Sequence, residues 1–165
     1  MKTIILTGMM GSGKTTVGVE LAKKLALNFI DVDSEIEKEQ KCTITEIFEK
    51  YGEEYFRKLE AKKIEQVLMP NNVIALGGGA FENEAIRKLL LEKSKVIYLK
   101  TSAQEILKRI ENTNNRPLLK NKMNLENIMQ IIKKREANYK KAHLTVETNK
   151  KEINKIIEEI LKWLF

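Results

Sequence analysis

Short apolar runs alternate along the chain with longer stretches in which apolar residues recur every three to four positions. The runs fall at about Thr3–Thr7, Asn28–Val32, Val73–Leu76, Lys95–Leu99 and His143–Val146, and each reads as a buried strand. Between them the spacing is helical, as in Val17, Leu21, Ala22 and Leu25. Thr43-Ile44-Thr45-Glu46 has the pattern of a capping box and opens a short helix that stops at Tyr51-Gly52. A longer helix follows from about Glu54 to Met69 and is ended by Pro70. This alternation predicts an α/β fold, a three-layer sandwich with a five-stranded parallel sheet between helices. The 165 residues predict a single domain over 1–165, without repeats or linkers.

One segment departs from the alternation. Asn112 to Asn124 is rich in asparagine, contains Pro117 and carries Arg116. It is longer than most connections in such folds. A polar segment with an arginine between two helices predicts a mobile lid over an active site, at residues 112–124.

The tight turn after the first strand is Gly8-Met9-Met10-Gly11-Ser12-Gly13-Lys14-Thr15, the G-x-x-x-x-G-K-T phosphate loop. It stands between a strand and a helix, as the motif requires. Glycine backbones let successive N–H groups converge on phosphate oxygens, and the helix N-terminus adds partial positive charge. Gly11, Ser12, Gly13, Lys14, Thr15 and Thr16 are expected to hold ATP. Lys14 reaches the outer phosphates, and the Thr15 hydroxyl holds Mg²⁺.

Composition sharpens this picture at a few positions. The net charge is +7, which raises the question of nucleic acid. The lysines, however, are spread along helices among glutamates, as in Glu20-Lys24 and Glu35-Lys38, and no aromatics interleave with them to stack bases. One cysteine, Cys42, and one histidine, His143, exclude a disulfide framework and a cysteine- or histidine-rich metal centre. No apolar stretch is long enough to span a membrane. The expectation is a cytoplasmic monomer acting on a small molecule, with neither nucleic acid nor membrane as partner.

Charged positions are filled mostly by 25 lysines and 21 glutamates, against five arginines and two aspartates. Where the rare residues stand, side-chain shape matters. Arginine offers a planar fork for carboxylate or phosphate that lysine lacks. Both aspartates lie in Asp31-Val32-Asp33, at the end of the second strand, where ligands bind in open parallel sheets. On a strand their side chains would leave one face about 7 Å apart. One would then serve Mg²⁺ near Thr15 and the other accept a proton from an attacking hydroxyl. Asp33 is also placed to cap the following helix. Gly77-Gly78-Gly79 follows the third strand, where many phosphate-loop ATPases carry a Mg²⁺-binding acid, so Asp31 must take that role. The glycines allow a small ligand to approach backbone N–H groups. Glu60, three residues after Arg57, is set to brace its guanidinium. A carboxylate for a hydroxyl, two guanidinium forks for an anion and a mobile cation for phosphate describe a small-molecule kinase. These residues alone leave gluconate and nucleoside monophosphate kinases open as alternatives.

With these residues in order, the chain resembles the shikimate kinase family nearly end to end. The resemblance lies in the phosphate loop, Asp31-Val32-Asp33, Phe56-Arg57-Lys58-Leu59-Glu60, Gly77–Gly79, Arg116-Pro117-Leu118 and Arg135-Glu136-Ala137-Asn138-Tyr139. It implies a fold like that of phosphate-loop nucleoside-monophosphate kinases, and phosphorylation of the shikimate 3-hydroxyl by ATP with Mg²⁺. Asp33 would be the catalytic base. Arg57 and Arg135 would bind the substrate carboxylate, with Gly77, Gly78 and Gly79 lining the substrate. Lys14 and Arg116 would neutralise the transferring group, Thr15 and Asp31 would position Mg²⁺, and Arg109 would lie against adenine. Where some members have an arginine after the last strand, this chain has Asn149-Lys150-Lys151, and Lys151 is counted with the nucleotide-binding residues.

Overall fold

The computed structural model describes residues 2–112 and 124–165. Its elements run β1 (Ile4–Thr7), α1 (Lys14–Leu25), β2 (Asn28–Asp31), α2 (Val32–Gln40), α3 (Ile44–Val67), β3 (Asn72–Ala75), a 3₁₀ turn (Ala80–Glu82), α4 (Glu84–Lys93), β4 (Lys95–Lys100), α5 (Ala103–Glu111), α6 (Leu125–Tyr139), β5 (Leu144–Glu147) and α7 (Ile153–Leu164). The sheet is wholly parallel, in the order β2-β3-β1-β4-β5. β1 is central, so the loop leaving it opens in the middle of the carboxyl edge, between the loops that follow β3 and β4.

Alternation along the strands builds two cores, one on each face. Ile4 and Leu6, with Val73, Ile97, Leu99 and Val146, pack on Val17 and Leu21 of α1 and Ile156, Ile157 and Ile160 of α7. Ile5, Ile74, Val96 and Tyr98 face the opposite layer, which includes Val32, Phe56, Leu90, Ile106 and Ile128. Three layers around a five-stranded parallel sheet are the architecture the pattern predicts. Among the described residues, no helix is long and apolar enough to cross a membrane.

The structure corrects the expected boundary after β2. The strand ends at Asp31, and Val32 already belongs to α2. Asp31, not Asp33, is the helix cap: its Oδ1 accepts from the Ser34 N–H at 3.1 Å. Asp33 therefore lies in the first helical turn, and the two carboxylates do not leave one face of a strand. The hydrophobic pattern cannot register this change because Val32 is fully buried as a helical residue.

Elsewhere the shifts are small. The capping box at Thr43 and Glu46 forms as expected. Gly52, at φ 84° and ψ 170°, breaks helical geometry at the expected stop, so α3 consists of two helices that meet there across a kink, the second running to Val67. β5 begins one residue later than expected, at Leu144.

Candidate active site

The phosphate loop has the strained backbone its glycines permit. Gly8, Gly11 and Gly13 have φ of 143°, 72° and 93°, and Gly13 is the N-cap of α1. A Cβ on Gly8 would meet the Leu99 carbonyl oxygen at 2.6 Å. Lys14 folds over the loop, with its Nζ donating to the carbonyls of Gly8 at 2.9 Å and Met9 at 2.8 Å. Across the loop's exit, the Thr15 hydroxyl donates to Asp31 Oδ2 at 2.8 Å. This pairs a hydroxyl with a carboxylate, the hard oxygen donors that suit Mg²⁺. Mg²⁺ ordinarily takes one or two protein groups and completes its shell with water and phosphate. No cluster of three or more His, Cys, Asp or Glu suited to a metal occurs among the described residues.

A second set of groups converges on the triple glycine after β3. A Cβ on Gly77 would lie 2.7 Å from Asp33 Oδ1 and 2.8 Å from Glu60 Oε2, so α2 and α3 bring these carboxylates to one point. A Cβ on Gly79 would overlap the Arg57 guanidinium, and one on Gly78 would lie 3.3 Å from Arg135 Nη1. Side chains at these positions would fill the space into which Asp33, Arg57 and Arg135 project. Arg57 Nη1 donates to Glu60 Oε1 at 2.8 Å, as the spacing on α3 predicts, and Nη2 donates to Glu53 Oε1 at 3.3 Å. Glu60 is 3% exposed. Burial pushes its carboxyl above the ordinary carboxylate range; the Arg57 charge opposes the rise, Asp33 adds to it and Arg135 opposes it.

The two sets adjoin. The Cβ position on Gly78 lies 3.6 Å from the Met10 nitrogen and 3.7 Å from the Gly8 carbonyl oxygen, both in the phosphate loop. A third region is a cleft of about 250 Å³ beside α1, lined by Ser12, Gly13, Thr16, Arg109, Lys151 and Ile153 among others. Arg109 there donates to the Gly11 carbonyl at 3.0 Å and the Thr148 carbonyl at 3.4 Å, and is held by Glu105 at 3.3 Å. It thus straps the phosphate loop to the segment after β5. Lys151 is paired with Glu159 at 2.9 Å. The Asn149 side chain accepts from the Ser102 N–H at 2.9 Å.

The structure therefore brings together Lys14, Thr15, Asp31, Asp33, Arg57, Gly77, Gly78, Gly79 and Arg135, and sets Thr16, Arg109 and Lys151 along one neighbouring cleft. Arg116, and the expected lid but for its ends Asn112 and Asn124, lie outside the described residues. Two contacts were not foreseen from the sequence. The Tyr139 hydroxyl donates to the Gly78 carbonyl, and Asn138 donates to Glu82 at 3.1 Å. The signal for the first was present: Tyr139 stands four residues after Arg135, on the same face of α6.

Comparison with known proteins agrees with this geometry. The shikimate kinase family model matches residues 10–165. A shikimate kinase of Caldanaerobacter subterraneus is 42% identical over 98% of this chain and 95% of its own length. One from Caldicellulosiruptor bescii is 45% identical over 90% of this chain and 87% of its own. The shikimate kinase of Acinetobacter baumannii, solved in complex with shikimate, superimposes with a TM-score of 0.91 at 36% identity, covering 99% of this chain and 93% of that one. A gluconokinase of Sinorhizobium meliloti shares the fold, at a TM-score of 0.65 and 16% identity, covering 99% of this chain and 91% of that one. Since the family model spans nearly all of a chain whose relatives are matched along almost their whole length, this chain belongs to the shikimate kinase family.

Proposed function

We propose that this chain transfers a phosphoryl group from ATP to the 3-hydroxyl of shikimate with the groups described above, in a single kinase domain over 1–165. The observation that supports this reading is the closeness of Gly78 to the phosphate loop, where an added Cβ would come within 3.6 Å of the Met10 nitrogen. An anion gripped by Arg57 and Arg135 places its hydroxyl beside the nucleotide's outer phosphate. Asp33, in the first turn of α2, binds that hydroxyl and takes its proton. Arg57 and Arg135 hold the carboxylate by bidentate hydrogen bonds. Lys14 leaves the loop carbonyls to meet phosphate oxygens, and the backbone of Gly11 to Thr15 cradles them. Thr15 and Asp31 would hold Mg²⁺, which would supply positive charge to offset that of the phosphates. Arg109 and Lys151 line the nucleotide's cleft. Arg116 supplies the remaining cation from the lid at 112–124, a role that rests on the motif. The chain acts as a cytoplasmic monomer, without nucleic acid or membrane as partner.

The test is ATP consumption by the purified protein with Mg²⁺ and, in turn, shikimate, gluconate and nucleoside monophosphates. ADP should form with shikimate and little without it. Turnover of gluconate or a monophosphate but not shikimate overturns the reading.

A further inference from the structure

Tyr139 closes α6 and is fully buried. Its ring stacks on Tyr98 of β4, with centroids 4.9 Å apart and planes 22° from parallel. The stack fixes the ring, and the hydroxyl is its only polar end. That hydroxyl donates to the carbonyl of Gly78, the middle residue of the turn at the acceptor site. Arg135 stands one helical turn earlier, and its Nη1 lies against the same glycine, 3.3 Å from where a Cβ would be. The Arg135 charge and a side-chain hydrogen bond from it act to pull the Tyr139 phenol down. Burial nevertheless pushes the Tyr139 phenol above its ordinary range, so it remains a protonated donor. A hydroxyl donates once and accepts twice, so it can serve Gly78 and Arg135 together.

We propose that Tyr139 is a positioning residue of the acceptor site, fixing the Gly78 carbonyl and the Arg135 guanidinium in one relation so that the fork meets the substrate carboxylate. This rests on the placement of Arg135 at that carboxylate proposed above. Asn138 supports the same docking through Glu82, at the end of the 3₁₀ turn. Packing alone does not explain the arrangement, because a phenyl ring would stack on Tyr98 equally well. The hydroxyl adds a direct hydrogen bond from α6 to the Gly78 carbonyl. Misplacing a binding group by a fraction of an ångström weakens a bidentate contact without disturbing the nucleotide site.

The test is Tyr139→Phe in the full chain, assayed beside Arg135→Lys and the double variant. We expect the shikimate KM of Tyr139→Phe to rise about tenfold, with ATP KM within about twofold and a thermal midpoint lowered by the loss of one buried hydrogen bond. The double variant should be no worse for shikimate than Arg135→Lys alone, because both changes act through one fork. An unchanged shikimate KM, a parallel rise in both KM values, or additive losses overturn the proposal. If Arg135→Lys leaves the shikimate KM intact, the placement of Arg135 fails and the proposal with it. A raised KM for Arg135→Lys beside an unmoved one for Tyr139→Phe overturns the proposal alone. Should Tyr139→Phe fail to fold, meta-fluorotyrosine at 139 keeps the ring's bulk and alters the hydroxyl's donor strength. The shikimate KM should then shift with ATP KM flat, and a flat shikimate KM overturns the proposal.

Discussion

Arg57 and Glu60, one turn apart on α3, form a 2.8 Å ion pair in which the carboxylate side chain is 3% exposed and the guanidinium 28%. The guanidinium faces the acceptor site while its partner is buried. On the function proposed above, the pair would serve structure through Glu60 and recognition through Arg57.

Arg57→Ala should damage both. Removing the cation leaves a buried carboxylate uncompensated, at a cost of about 3–5 kcal/mol. Shikimate KM should rise while ATP affinity holds. Adding Glu60→Gln removes the stranded charge, so the thermal midpoint should recover and shikimate KM should not. A midpoint that stays low in the double variant would mean that Arg57 stabilises the fold independently of Glu60.

Asp33→Asn isolates the proposed base. Turnover should fall by ~10²–10⁴-fold, the usual worth of general base catalysis, with nucleotide affinity intact. The cap of α2 is Asp31, so the start of the helix keeps its cap and loses there the contribution of an acidic residue in a first helical turn, about 0.3–1 kcal/mol. Near-normal turnover would remove Asp33 from the chemistry.

Two glycine substitutions should give opposite signatures. Gly79 has an ordinary φ of −98°, so Gly79→Ala adds no backbone strain but drives its methyl group into the Arg57 guanidinium. Shikimate KM should rise at least several-fold with a modest midpoint change. Gly52 has φ 84° with open space around its Cβ position. Gly52→Ala should cost ~1–3 kcal/mol of stability and leave both KM values alone. Steady-state kinetics and thermal melts on the pair decide the matter.

His143 should make the fold sensitive to mild acid. Its Nδ1 accepts from the Val96 N–H at 3.0 Å while the His143 backbone N–H donates to the Val96 carbonyl at 2.9 Å. Burial, then the charges of Lys95 and Lys2, hold the imidazole below its ordinary 6.5, against a hydrogen bond to the Leu91 backbone. A depressed folded value favours the neutral form. Its stabilisation is complete above 6.5 and is lost as pH falls through the lower folded value. The midpoint advantage of wild type over His143→Gln should shrink between pH 8 and 5; a constant gap would remove His143 from that dependence.

The strands, the phosphate loop and the Arg57–Glu60 brace were legible because each has a local signature. Period two marks the strands, glycine spacing marks the loop, and three-residue spacing on a helix marks the brace. The meeting of Asp33, Glu60 and Gly77 was not legible, since three elements supply it and only the fold brings them together. The β2–α2 boundary was misread for another reason. Ile30 and Val32 are apolar in both conformations, and either aspartate could cap. Only the geometry distinguishes Asp31, whose two oxygens are already engaged by Ser34 and Thr15. Tyr139 was legible as the end of the motif that begins at Arg135, but its contact with Gly78 was not, because a distant turn supplies the partner.

Asp31 serves two ends at once, with one oxygen on the first turn of α2 and the other on Thr15. The element it caps carries Asp33 two residues on. If Asp31 holds the metal as proposed, changing metal preference at this position would also edit the hinge pin of the element that carries Asp33. Glutamate there would lengthen the reach toward a cation and forfeit the short side chain that starts the helix. An engineer would have to supply a new cap before a kinetic change could be credited to the ion.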